Sequence, residues 1–126
     1  MAGAQILVVE DNQRNMKLFR DVLQAAGYRT LEATTGGRAV ELATEHRPDL
    51  ALMDIQLPDI DGVETLGRLR RDERTASMPV LALTAQAMEG DRERFLAAGF
   101  DGYLSKPVDI ADLVATVKHH CDGGGR

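Results

Sequence analysis

Four short apolar runs in the 126-residue sequence end in, or lead into, residues able to do chemistry. QILVVE closes on Glu10 with Asp11 next, DLALMD closes on Asp54, PVLALT closes on Thr84, and GYLS leads into Lys106 and Pro107. Taken singly, most have ordinary readings. The acidic pair followed by Asn12 can cap a helix, because Asp and Asn accept from its exposed N–H groups and suit its positive end. Thr84 alone reads as a strand residue and Lys106 as a surface cation. Asp54 is harder to dismiss, since a carboxylate after LALM is costly to desolvate without a partner. Together the residues make a different case. Two unit charges 4 Å apart interact by ~4 kcal/mol at an effective dielectric near 20, so converging carboxylates require a cation. Oxygen donors, a single cysteine (Cys121) and histidines (His46, His119, His120) away from the strand ends favour Mg²⁺ over zinc. A hard cation attracts phosphate, and Thr84 and Lys106 can offer a donor and a positive charge to phosphoryl oxygens. One carboxylate is then free to be the nucleophile, through an aspartyl phosphate.

These residues meet only if the chain places its strand ends side by side. Five strands are predicted, at Gln5–Glu10, Arg29–Ala33, Asp49–Asp54, Pro79–Thr84 and Gly102–Ser105. Between them lie stretches of helical period, the first with Met16, Phe19, Val22, Leu23 and Ala26 on one face. Later ones are VETLGRLRRD, RERFLAAG and DIADLVATVKHHC, and AAGY and AAGF supply glycine helix stops. Unbroken apolar strands such as LALM and VLAL call for helices on both faces of a parallel sheet. The fold class is α/β, a doubly wound (βα)5 unit, and the flavodoxin-like order 2-1-3-4-5 suits it. In such a sheet the ligand site lies beyond the carboxyl ends of the strands, where the five residues fall. One domain over residues 1–121 is expected, with DGGGR (122–126) as a flexible tail.

Composition restricts the function classes. The net charge of −5, from 15 Lys and Arg against 20 Asp and Glu, leaves no electrostatic footprint for nucleic acid or an anionic membrane. The start MAGAQILVVEDN lacks the basic head and apolar length of a signal peptide, and no apolar run approaches the ~20 residues that span a bilayer. A cytoplasmic setting is expected, without direct contact to nucleic acid or membrane.

In combination and order, VVEDN, LMDIQLPDIDG, VLALTA and GYLSKP resemble the response-regulator receiver domains of two-component signalling, over Gln5 to Cys121. Through EDNQRNMKLF, MDIQLP and AMEGDRER the chain is most similar to the DivK-type single-domain cell-division regulators. The resemblance implies that Asp54 accepts a phosphoryl group from a phosphohistidine on a histidine kinase or histidine phosphotransfer protein. It implies Mg²⁺ held by Asp11, Asp54 and the backbone carbonyl of Gln56, with Glu10 acting through water. Thr84 and Lys106 would bind phosphoryl oxygens, the Lys106–Pro107 bond would be cis, and Tyr103 matches the aromatic switch position. Asn15 and Leu18 on the first helix would touch the phosphodonor, and Gln56 and Gln86 would flank the hydrolytic water. Phosphorylation would draw Thr84 inward, let Tyr103 turn in, and alter the surface of the fourth helix, fifth strand and fifth helix, where a downstream protein would dock. Gly90, placed early in the fourth helix, would ease that rearrangement, or is a loop residue. The protein is thus expected to be a switch and not an enzyme on other substrates, acting as a stand-alone receiver because no output domain follows.

Other readings stay open at this level. The chain can be a receiver excised from a hybrid histidine kinase or a larger regulator. A flavodoxin-like nucleotide binder would carry Gly, Ser or Thr after the first strand, where this chain has carboxylates. A Mg²⁺-dependent phosphohydrolase would want a second acid two residues after Asp54, where Gln56 stands. Asp59 and Asp61, between Pro58 and Gly62, read as turn-formers and a helix cap.

Overall fold

The computed structural model describes residues 3–85 and 90–121. Apolar runs and amphipathic stretches alternate along it as β1 (Gln5–Val9), α1 (Gln13–Ala25), β2 (Arg29–Ala33), α2 (Gly36–His46) and β3 (Leu50–Asp54). There follow α3 (Gly62–Arg71), β4 (Val80–Thr84), α4 (Asp91–Ala98), β5 (Gly102–Ser105) and α5 (Ile110–Cys121). Every strand pair is parallel and the sheet order is β2-β1-β3-β4-β5, as expected. Glu10, Asp49 and Pro79 fall one residue outside the strands predicted for them. The predicted tail and Gln86 lie outside the described residues.

Because successive strand residues point to opposite faces, each central strand divides its side chains between two cores. Leu7, Val9, Ala51, Met53, Val80 and Ala82 meet α2, α3 and α4 through Leu42, Leu66, Leu69 and Phe95. Ile6, Val8, Leu50, Leu52, Leu81 and Leu83 meet Met16, Phe19 and Leu23 of α1 and Leu113 and Val117 of α5. Both faces are covered, which is why LALM and VLAL show no polar alternation.

Side-chain caps define where the helices begin. Asn12, Thr35 and Asp61 accept from the N–H groups of Asn15, Arg38 and Glu64 at the starts of α1, α2 and α3. Gly90 decides between the two readings left open for it, in favour of a residue outside the helix. It does not lie within α4 but is its N-cap, with φ +89°, and α4 begins at Asp91. A left-handed residue cannot continue a right-handed helix, and glycine adopts that conformation without steric cost.

Candidate functional site

The parallel sheet brings its carboxyl ends to one edge, and the register decides which residues meet there. Val9 pairs with Met53, Asp54 with Leu83, and Thr84 with Ser105. The residues just beyond β1 and β5 therefore flank Asp54 and Thr84. Glu10, Asp11 and Asp54 each offer a carboxylate oxygen within 4.8 Å of the others. Lys106 reaches in from β5, its Nζ 2.9 Å from Asp54 Oδ2 and 2.6 Å from Glu10 Oε1. Its backbone N–H donates to the Thr84 carbonyl at 2.7 Å, which ties the ends of β4 and β5 together. The Lys106–Pro107 peptide bond is cis, as expected.

Each carboxylate has a distinct environment. Asp54 is buried, and its Oδ1 accepts from the Gln56 backbone N–H at 2.9 Å while Oδ2 accepts from Lys106. Glu10 is buried almost completely, and its Oε2 accepts from the Asn12 N–H at 3.1 Å. Its Oε1 is close enough to Lys106 for an ion pair but not aligned as a hydrogen bond, so among the described residues that oxygen has no hydrogen-bond partner. Asp11 is exposed at the mouth. Burial pushes the Glu10 carboxyl above its usual range, with Lys106 and the Asn12 N–H opposing and the Asp54 charge adding. Burial works against the Lys106 ammonium, yet Glu10 and Asp54 outweigh it and its pKa is raised. The Glu10 shift is thus chiefly one of desolvation, whereas the Lys106 shift reflects an excess of negative over positive charge around it.

That excess, a buried oxygen without a hydrogen bond and an all-oxygen donor set fit a hard divalent cation. Glycine is required beside the acid. A Cβ on Gly62 would lie 2.5 Å from the Asp54 carbonyl oxygen and 2.9 Å from Ile55 Cα.

The carboxylates, Lys106, Asn15, Gln56 and Ala85 line one open cleft of about 440 Å³. A larger cavity of about 750 Å³ lies between α4, β5 and α5, lined by Leu96, Tyr103 and His119 among others. Size favours the second, but the acidic cluster is in the first. Of the two residues expected to meet a phosphodonor, Asn15 is on the cleft wall, whereas Leu18, 40% exposed, lies a turn further along α1 outside it. Tyr103 is half-buried, its ring 5.9 Å from that of Phe95. Asp61 caps α3 as read from sequence.

Several residues escaped the sequence reading. Asp59 is more than a turn-former, because it accepts from the Gly36 and Gly37 N–H groups at 2.8 and 2.9 Å and so anchors the start of α2 to the β3–α3 loop. Those bonds, with Gly37 contributing most, hold its pKa down at about 2. Arg70 donates to the Met78 and Gly99 carbonyls and to Asp101, whose carboxylate also accepts from the Val80 N–H. Arg94 and Phe95 line a small cavity of about 140 Å³ together with Asp54, Gln56 and Thr84. Nothing local marks Asp59 or Arg70, whose partners are far away in sequence. The spacing of Asp91 and Arg94 was a visible helical pair.

A family model for the response regulator receiver domain matches residues 6–118. The polar-differentiation response regulator DivK of Brucella anthropi is 47% identical over 115 residues, 91% of this chain and 94% of that protein. Among solved structures, the receiver domain of a Pseudomonas aeruginosa sensor histidine kinase, with a magnesium ion in its active-site cleft, superposes with a TM-score of 0.89 at 38% identity, covering 97% of this chain and all of that one. A CheY-like receiver domain protein from Methanospirillum hungatei gives a TM-score of 0.86 at 30% identity over 95% of this chain and 94% of its own.

Proposed function

The chain belongs to the response-regulator receiver domains, and on that premise we propose that it is a phosphorylation-dependent switch whose acceptor is Asp54. One observation carries the reading. A buried carboxylate at a strand end has one oxygen fixed by a backbone N–H and the other by an ammonium that also faces Glu10. That arrangement orients a nucleophile and leaves a cation at hand for the oxygens of an incoming group.

An Asp54 oxygen attacks the phosphorus of a phosphohistidine; the new P–O bond forms as the P–N bond breaks, and the departing imidazole nitrogen keeps the electron pair and is reprotonated. Lys106 and Thr84 hold the phosphoryl oxygens. Mg²⁺, held by Asp11, Asp54 and the Gln56 carbonyl with Glu10 through water, would neutralise charge between the carboxylate and the phosphoryl group.

A histidine kinase or histidine phosphotransfer protein is the donor in this reading, with Asn15 and Leu18 at the docking surface. The α4–β5–α5 face, where Tyr103 lies, signals to a downstream protein. A cytoplasmic, DivK-type single-domain role completes the proposal. Among the described residues no helix is long and apolar enough to cross a membrane. A receiver working within a hybrid kinase is the second reading, favoured by the likeness to the sensor-kinase receiver. Faster phosphotransfer from a kinase phosphohistidine than from a phosphotransfer protein, with onward transfer from Asp54 to the latter, would support it.

The test is intact mass after incubation with acetyl phosphate and Mg²⁺. Wild type should gain one phosphoryl group and Asp54→Asn none. Absence from wild type, or persistence in the variant, would overturn the assignment.

A further inference from the structure

The small cavity beside Asp54 is lined by a basic residue that the phosphoacceptor reading does not use. Arg94, in the first turn of α4, lines it together with Asp54, Gln56, Thr84, Ala85 and Phe95. Its side chain is 68% exposed, and Asp91 Oδ1 lies 3.0 Å from Nη2. The guanidinium sits 5.0 Å from the centre of the Phe95 ring. Asp91 is itself buried, so one edge of the guanidinium is held by a fixed carboxylate. Guanidinium has five N–H donors in a planar fork suited to phosphate oxygens, and one contact to Asp91 leaves donors free.

We propose that Arg94 is a further phosphoryl-binding residue, donating to an oxygen of the group on Asp54 from the α4 side, with Asp91 as the residue that positions it. This rests on the reading of Asp54 as the acceptor. On phosphorylation the site gains close to one additional negative charge and new acceptor oxygens in a cavity already lined by Arg94. Lys106 approaches from β5 and Thr84 ends β4, so Arg94 gives α4 its own link to the phosphoryl group. Phe95, the next residue, packs against Tyr103. A pull on Arg94 is therefore delivered to the α4–β5 surface directly.

The test uses beryllofluoride with Mg²⁺ as the phosphoryl mimic, with binding followed by fluorine NMR on the full chain. Arg94→Ala is expected to weaken binding about tenfold or more, as for loss of a charge-assisted hydrogen bond. Arg94→Lys, which keeps the charge but not the fork, should fall between that variant and wild type. Arg92→Ala removes the same charge from the same helix but lines the other cavity, and should bind as wild type does. Equal weakening in Arg92→Ala and Arg94→Ala would reduce the effect to general electrostatics and overturn the proposal, as would no weakening in Arg94→Ala. Wild type that gains no phosphoryl group would remove the acceptor reading and this proposal with it. Wild type that is phosphorylated while Arg94→Ala binds beryllofluoride normally removes only the role of Arg94.

Discussion

Lys106 lies between Glu10 and Asp54, so at the scale of single residues it both balances charge and competes for the space of a divalent ion. Lys106→Ala should raise Mg²⁺ affinity, because the carboxylates lose their resident cation. It should also slow phosphorylation by about 10²-fold, the usual loss when a preorganised donor to a developing charge is removed. Calorimetric Mg²⁺ titration and timed intact mass would read the two effects separately, and a parallel fall in both would contradict this account. Asp59 makes a second prediction at this scale. Its carboxyl moves from 3.8 to about 2 on folding because the Gly37 and Gly36 N–H groups favour the charged form. The stabilisation is therefore complete above pH ~4 and is lost as pH falls toward about 2. Urea unfolding midpoints between those values should drop less steeply for Asp59→Asn than for wild type. Some acid sensitivity will remain, since Arg74 holds Asp72 at about 2 as well.

Elements meet closely where the site is built. The start of α3 presses on the end of β3 so tightly that only Gly62 fits against the Asp54 carbonyl. Gly62→Ala should destabilise the fold by about 1–3 kcal/mol, as overpacking does, and should slow phosphorylation by shifting the acceptor. Thermal melts and mass-based labelling would check both. Arg70 secures the opposite ends of the elements, joining the C-terminus of α3 to the carbonyl that closes α4 and to Asp101 before β5. Arg70→Ala strands several acceptors and should cost about 2–3 kcal/mol in chemical denaturation. Lysine at that position should restore little, since it lacks the fork that spans Met78, Gly99 and Asp101.

Across the whole molecule, β4, α4 and β5 connect the site to the proposed output face. Thr84 belongs to β4, Phe95 to α4 and Tyr103 to β5, and the Phe95 and Tyr103 rings are in contact. A beryllofluoride-treated sample should therefore show chemical-shift changes at Thr84, Ala85 and Tyr103, and smaller ones in α2. Changes confined to the residues touching the ligand would rule out the switch and leave only a phosphoacceptor. The two-state requirement is strict, because the phosphoryl group can shift the equilibrium only by as much as it favours one conformer.

The periodicity of five apolar runs and their turns was enough to read the doubly wound fold and its strand boundaries to within a residue, because burial on both faces keeps the three central strands β1, β3 and β4 almost wholly apolar. Glu10, Asp11, Asp54, Thr84 and Lys106 were legible because each ends or directly follows a strand, and the carboxyl ends of parallel strands must share an edge. Tertiary structure decided what local patterns do not encode. Asp59 reaches the start of α2 and Arg70 reaches Gly99 and Asp101 across long sequence separations. Arg94 shares a cavity lining with Asp54 and Thr84, residues 40 and 10 positions away, only because the fold brings α4 to that edge of the sheet. Capping, clamping and cavity lining depend on where separate elements come to rest, and that is set by how the two cores pack.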